Sequence, residues 1–203
     1  MQRSFLNFVG LRFHSTVVAN IFDRSMLSKS RMKYVKSPSQ SNDKFDNYLK
    51  RIVGGRLADR ALDIKREEFS RALDLWCDFG YCARHLPPAK ELVLADISND
   101  FTSEAMTVCD LHEFKTEMIL SPEEERPALP KCDLIVSNLN LHNLNDPISF
   151  FKHIHNSLDE EGVFLASLLV DNTLKELNQS LQTAEFEKIG VVRPHLCPML
   201  KHY

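Results

Sequence analysis

Four polar residues fall at the carboxyl ends of four successive apolar runs: Asp74, Asp96, Asp110 and Asn138. In an open α/β sheet a ligand sits outside those ends, where strand order reverses, so the four are expected to share one crevice. Asp96, in LVLADIS, follows a glycine turn by about twenty residues, where an acid accepts hydrogen bonds from both hydroxyls of a ribose. Asp110 is expected to reach an adenine amino group, and Asn138 to face the same crevice. A lone Asp after a strand is more often a turn or helix cap. Four in succession favour a nucleotide site.

The turn that such a site needs is RALDLWCDFGY, Arg71 to Tyr81. It reads as a short buried strand, Ala72 to Leu75, a tight bend, and the start of a helix. Asp74 closes the strand and Gly80 lies six residues later. Bends of this kind carry glycine wherever backbone must approach the ligand closely. Two of those places hold Trp76 and Asp78 instead.

The elements that position these residues alternate along the chain. Apolar runs at Ala72–Leu75, Leu92–Ala95, Ala105–Cys109, Leu134–Val136 and Val163–Val170 read as strands. Stretches long enough for crossovers separate them, which predicts an α/β fold with a mostly parallel sheet and helices on both faces. The clearest helix spans Asp146 to Leu158, with Asp146 as cap, Pro147 at the first position, and Ile148, Phe151, Ile154 and Leu158 towards the sheet. Gly162 then turns the chain into the next strand. A second helix is predicted from Thr173 to about Lys188 with Asn172 as its cap. Phe114 to Lys131, acidic and carrying three prolines, reads as a surface loop. Upstream, Phe45 to Ile64 is helical in pattern, as one helix or as two broken at Gly54-Gly55.

With 203 residues, 43 % of them hydrophobic, the chain can build one core and carry a tail. No apolar run approaches the length that spans a bilayer. The five cysteines form no CxxC pair, which favours reduced, mostly buried thiols over a disulfide or zinc site. The net charge of −3 is unevenly spread. Residues 1–42 hold seven Lys/Arg and one acid, leaving 18 basic against 27 acidic residues in the rest. An acidic body argues against nucleic acid as a partner. Residues 1–19, without any acid, suit a mitochondrial presequence or a basic tail. Residues 20–46 read as a loose basic arm with one short helix around Ser25–Tyr34, and the domain proper occupies 47–203.

The order D-L-x-C-x-x-G-Y, A-D-I and C-D-L-I-V-S-N-L-N-L-H resembles the S-adenosylmethionine-dependent methyltransferases of the Rossmann-like class. Three stretches resemble more narrowly the mitochondrial complex I assembly factor 5 family. They are N-I-F-D-R at Asn20–Arg24, F-D-x-Y-L-K with R-L-A-D-R between Phe45 and Arg60, and D-N-T-L-K-E-L-N-Q-S-L-Q-T-A-E at Asp171–Glu185. P-H-L-C-P at Pro194–Pro198 also matches. The resemblance implies a Rossmann-like class I methyltransferase fold binding S-adenosylmethionine in the mitochondrial matrix, with peripheral contact to the inner membrane compatible. It also implies a role in assembly of respiratory complex I, with a matrix-arm subunit or other assembly factors as partners, and a link to arginine hydroxylation of an iron–sulfur subunit. By position it implies that Asp74, Cys77 and Gly80 belong to the methionine-binding turn, Asp96 to the ribose contact and Asp110 to the adenine contact. His142 matches a family histidine at the crevice, or is a partly buried structural residue. A carrier-protein methyltransferase shares the fold and much of the first motif.

Two departures from that pattern bear on function. The family turn reads D-L-G-C-G-x-G-Y, so Trp76 and Asp78 replace its first two glycines. If a left-handed backbone is required there, each costs about 1–2 kcal/mol in strain. The indole is expected to occupy the space of the cofactor's methionine part, and Asp78 to set a negative charge near its carboxylate. Cofactor binding is expected to be weakened or lost, leaving a non-catalytic assembly partner as the alternative to an enzyme. The second departure is five predicted strands in place of seven, lacking the terminal hairpin.

Overall fold

The computed structural model describes residues 22–36, 47–109, 115–120, 129–170 and 173–191. The expected presequence, Asp110 and Pro194–Pro198 lie outside them. Two helices, α1 (Arg24–Lys36) and α2 (Tyr48–Leu62), precede β1 (Phe69–Leu75) and β2 (Ala89–Asp96). Then follow α3 (Asn99–Cys109), β3 (Lys115–Leu120), β4 (Cys132–Asn138), α4 (Pro147–Ser157), β5 (Leu158–Ser167) and α5 (Lys175–Ile189). The strands form one sheet in the order β3-β2-β1-β4-β5, every pairing parallel.

Both faces of the sheet are apolar, as a parallel sheet covered by helices requires. Alternate residues of the central strands point to opposite layers. Leu73, Leu75, Val93, Ala95 and Ile135 join Ile154 of α4 on one side. Ala72, Leu92, Leu94, Leu134 and Val136 join Leu57, Ala58 and Ala61 of α2 and Ala105 of α3 on the other. No described helix is long and apolar enough to cross a membrane.

The apolar run Ala105–Cys109, expected as a strand, is the end of α3. Phe101, Thr102 and Ala105 are buried together at helical spacing, so the run is one side of a helix. The third strand, Lys115–Leu120, lies in the segment expected as a loop. As an edge strand it is polar, with Lys115 on Glu91 at 2.6 Å and Met118 exposed, so no apolar run announces it. Asp110 therefore follows a helix in the chain, not a strand.

Helix α2 runs unbroken through Gly54-Gly55. A Cβ on Gly54 would sit 2.8 Å from the Tyr81 carbonyl oxygen and 2.9 Å from Asn138 Nδ2, so glycine lets the helix touch the turn. Asp146 caps α4, accepting from the Ser149 amide at 3.0 Å, with Pro147 at its first position. Its sheet-facing side is Phe150 and Ile154, while Ile148 and Phe151 are more than a third exposed. Gly162 falls inside β5, where pairing with β4 shifts register, instead of ahead of the strand. Helix α5 begins after Leu174, which has φ 55°, and buries none of its residues. The cap expected at Asn172 lies outside the described residues.

Candidate functional site

A cleft of about 400 Å³ opens over the carboxyl ends of β1 and β4, where the strand order reverses. That volume is in the range of small-molecule sites. Its walls come from α1 (Arg31, Tyr34), the start of α2 (Asn47, Lys50), the turn after β1 (Asp78, Phe79, Tyr81), Phe101 of α3, and Asn140 and His142 beyond β4.

The turn after β1 keeps the backbone of a glycine-rich bend without its glycines. Trp76, Asp78 and Gly80 have φ of 58°, 49° and 69°, all left-handed. Two of the three therefore carry strain that glycine would not. Beyond the turn the chain forms only a short helical turn, Ala83–His85, where the sequence predicts the start of a longer helix. Asp74, wholly buried within β1, accepts from the Ala83 amide at 3.0 Å and so fastens the far side of the loop. Arg84 closes it, donating to the carbonyls of Gly80 and Phe79 at 3.1 and 2.9 Å. Cys77 is buried, its thiol 3.7 Å from the Asp78 carbonyl. Gly80 faces α3, where a Cβ would lie 3.2 Å from that of Ala105.

The expectation that the indole fills the ligand space is corrected by its position. Trp76 packs into the layer between sheet and α4, stacked on Phe150 with ring centroids 5.0 Å apart. It does not line the cleft. The apolar layer formed with Leu75, Ile154 and Phe150 receives the indole there.

Asp78 does enter the cleft, and it brings partners. Its Oδ2 accepts from Lys50 Nζ at 2.6 Å and its Oδ1 from Arg31 at 2.7 Å. The same Arg31 nitrogen lies 3.0 Å from both oxygens of Asp96, which also accepts from the amides of Asp78 and Ile97 at 2.9 and 2.7 Å. The guanidinium sits 4.9 Å above the Phe101 ring. The negative charge expected at Asp78 is thus paired with Lys50 and shares Arg31 with Asp96.

At the end of β4, Asn138 donates to the Lys50 carbonyl at 2.8 Å and accepts from Ser167 at 2.9 Å. Asn140 donates to the carbonyls of Trp76 and Asn138 at 2.8 and 3.0 Å, tying β4 to the turn. His142 lines the cleft with Nδ1 buried and without a hydrogen-bond partner. Among the described residues no group of three His, Cys, Asp or Glu is placed to hold a metal ion.

Burial governs the protonation of the site. It raises Asp74 to about 7, against the Ala83 amide. It raises Asp96 to about 6, opposed by Arg31. The Cys77 thiol is pushed far up by burial and then by the surrounding carboxylates, so it stays protonated. His142 is lowered by burial and by Lys50, which keeps its imidazole neutral at pH 7.

The structure brings Asp96, Asp78 and Asn138 to one end of the sheet, with Asp74, Cys77 and Gly80 behind them as supports of the turn. Sequence reasoning missed Arg31, Lys50 and Asn140. The available signal was an acid in a glycine position, which calls for a cation, beside a basic arm.

A methyltransferase domain family matches residues 45–199. Among curated proteins, arginine-hydroxylase NDUFAF5, mitochondrial, of Mus musculus is 40 % identical over 180 residues, covering 88 % of this chain and 51 % of that protein. The malonyl-[acyl-carrier protein] O-methyltransferase of Bacillus anthracis is 26 % identical over 152 residues, covering 73 % of this chain and 55 % of that protein. The chain thus spans about half the length of the curated relatives it matches. Among solved structures, N-methyltransferase NodS from Bradyrhizobium japonicum WM9, in complex with S-adenosyl-L-homocysteine, superimposes with a TM-score of 0.57 at 16 % identity. It covers 74 % of this chain and 76 % of its own. That likeness is one of fold.

Proposed function

Because the chain belongs to the methyltransferase domain family, we propose that it is an S-adenosylmethionine-dependent methyltransferase-like protein of the mitochondrial matrix, acting in assembly of respiratory complex I. The observation that carries the reading is Asp96 at the carboxyl end of β2, one strand away from the chain reversal and beside three left-handed turn residues. The NDUFAF5 relatives support the mitochondrial setting and the link to arginine hydroxylation.

The residues present fit an adenosyl cofactor in backbone shape. The turn holds the conformation that close approach demands, and the one bulky substituent that threatened the space, Trp76, is packed elsewhere. When bound, the cofactor supplies an electrophilic methyl group on a sulfonium. Asp96 would hold the ribose, while Asp78 and Lys50 would line the methionine end. Neutral His142, with a buried unpartnered nitrogen, is available to accept or donate one hydrogen bond. Calorimetric titration with S-adenosylmethionine tests the reading: saturable heat is expected, and none at millimolar cofactor removes the enzyme half of it.

A second reading, a non-catalytic assembly partner, is favoured by Arg31 on the Asp96 carboxylate. Expression of the chain in cells lacking their own NDUFAF5 separates the two. Restored complex I assembly without measurable cofactor binding identifies the partner role.

A further inference from the structure

Arg31 lies in the cleft as a ligand would. Its guanidinium bridges Asp78 and Asp96 and covers the Phe101 ring. The side chains of Arg31, Asp78 and Asp96 are 13 %, 8 % and 0 % exposed, so the cluster has given up most of its water. In that setting neither carboxylate is easily left without a cation.

The helix that carries Arg31 belongs to neither layer of the sheet. It is pinned at its start, where Phe22 and Asn145 exchange hydrogen bonds of 2.8 and 3.1 Å and Arg24 donates to the Asn143 carbonyl. Further along, the Tyr34 ring meets Phe79 at 5.9 Å. Helix α1 therefore crosses the cleft like a strap, from the loop beyond β4 to the turn beyond β1.

Resting on the reading that the cleft takes an adenosyl cofactor, we propose that Arg31 is a resident competitor for it. The carboxylate that would accept the ribose hydroxyls already holds a guanidinium, so the cofactor enters as α1 lifts. Asp78 is the second half of the device. A glycine there would leave Arg31 one carboxylate; Asp78 supplies another and engages Lys50 as well. A ribose diol would give Asp96 hydrogen bonds to its carboxylate but no counter-charge, whereas Arg31 brings a full positive charge to a site that has lost most of its water. The ribose does not displace Arg31 unaided, and the rest of the cofactor has to supply the difference.

The test is calorimetric titration of S-adenosylhomocysteine into the parent, Arg31→Ala and the double variant Arg31→Ala, Asp78→Asn, with amide exchange of α1 followed in parallel. The double variant leaves the cluster with one carboxylate, Asp96, and one cation, Lys50, so its net charge is balanced again, and it carries the test if the single one does not fold. Removing Arg31 is expected to tighten binding by about tenfold or more. Saturating ligand is expected to speed exchange of α1 amides in the parent. If the parent binds and the variants bind equally or less tightly, or if α1 exchange is unchanged on binding, Arg31 is no competitor although the cofactor reading stands. If neither parent nor variants bind at millimolar ligand, the cofactor reading falls and the competitor with it.

Discussion

The indole of Trp76 stacks on Phe150 with planes 23° from parallel and centroids 5.0 Å apart. A residue in a position built for glycine has become one of the largest fully buried side chains of the protein. Its left-handed backbone costs about 1–2 kcal/mol, while emptying a buried aromatic site costs about 3–5 kcal/mol. Packing wins, so Trp76→Gly is expected to destabilise by about 1–4 kcal/mol in urea denaturation. An unchanged or higher midpoint would mean that the stacking contributes little.

Adjacent glycines of α2 predict opposite outcomes. Gly55→Ala meets nothing closer than 3.9 Å and gains helix propensity, so it stabilises by about 0.5–1 kcal/mol. Gly54→Ala gains the same propensity but drives a methyl to 2.8 Å from the Tyr81 backbone, and is expected to lower Tm. Tm shifts of the same sign in both variants would refute the close approach of α2 to the turn.

Asp74 sets a pH dependence of stability. Its carboxyl sits at about 7 in the fold, against about 3.9 unfolded. The folded chain holds the proton more tightly, so this contribution is complete below the unfolded value and is lost as pH rises through about 7. Asp74→Asn, which keeps the carbonyl that accepts from Ala83, is expected to flatten the fall in urea midpoint between about pH 4 and pH 7. A residual slope is expected from Asp96, raised to about 6. A parent whose midpoint climbs across this range contradicts the burial argument.

Helix α5 makes the contrasting case. Leu177, Phe186 and Ile189 are all about half exposed or more and none of the helix is buried. Replacing all three by Ser is expected to change folding stability by less than about 1 kcal/mol, despite the loss of three large apolar groups. A larger loss, read by thermal melting, would place that face against the body of the protein.

Helix α4 can be read directly from Asp146-Pro147, because a cap and a first-turn proline are local signals. The three central strands are legible for a similar reason, since burial on both faces writes a continuous apolar run. Strand β3 is not, because an edge strand with a polar side carries no such run. Periodicity misassigned Ala105–Cys109, where a helix face and a short strand look alike. The site was half legible. Asp96 follows from strand position, but the pairing of Arg31 with Asp78 and Asp96 joins residues 47 and 65 apart in the chain, and no local pattern encodes it.

Tethering gives α1 one more property. A side chain attached to the same molecule faces its site at an effective concentration in the millimolar range or above, whatever the amount of protein present. A soluble molecule contending with it must reach a corresponding product of abundance and affinity before it prevails. If Arg31 competes as proposed, the first helix raises the concentration at which half the cleft is filled while leaving the form of the saturation curve unchanged.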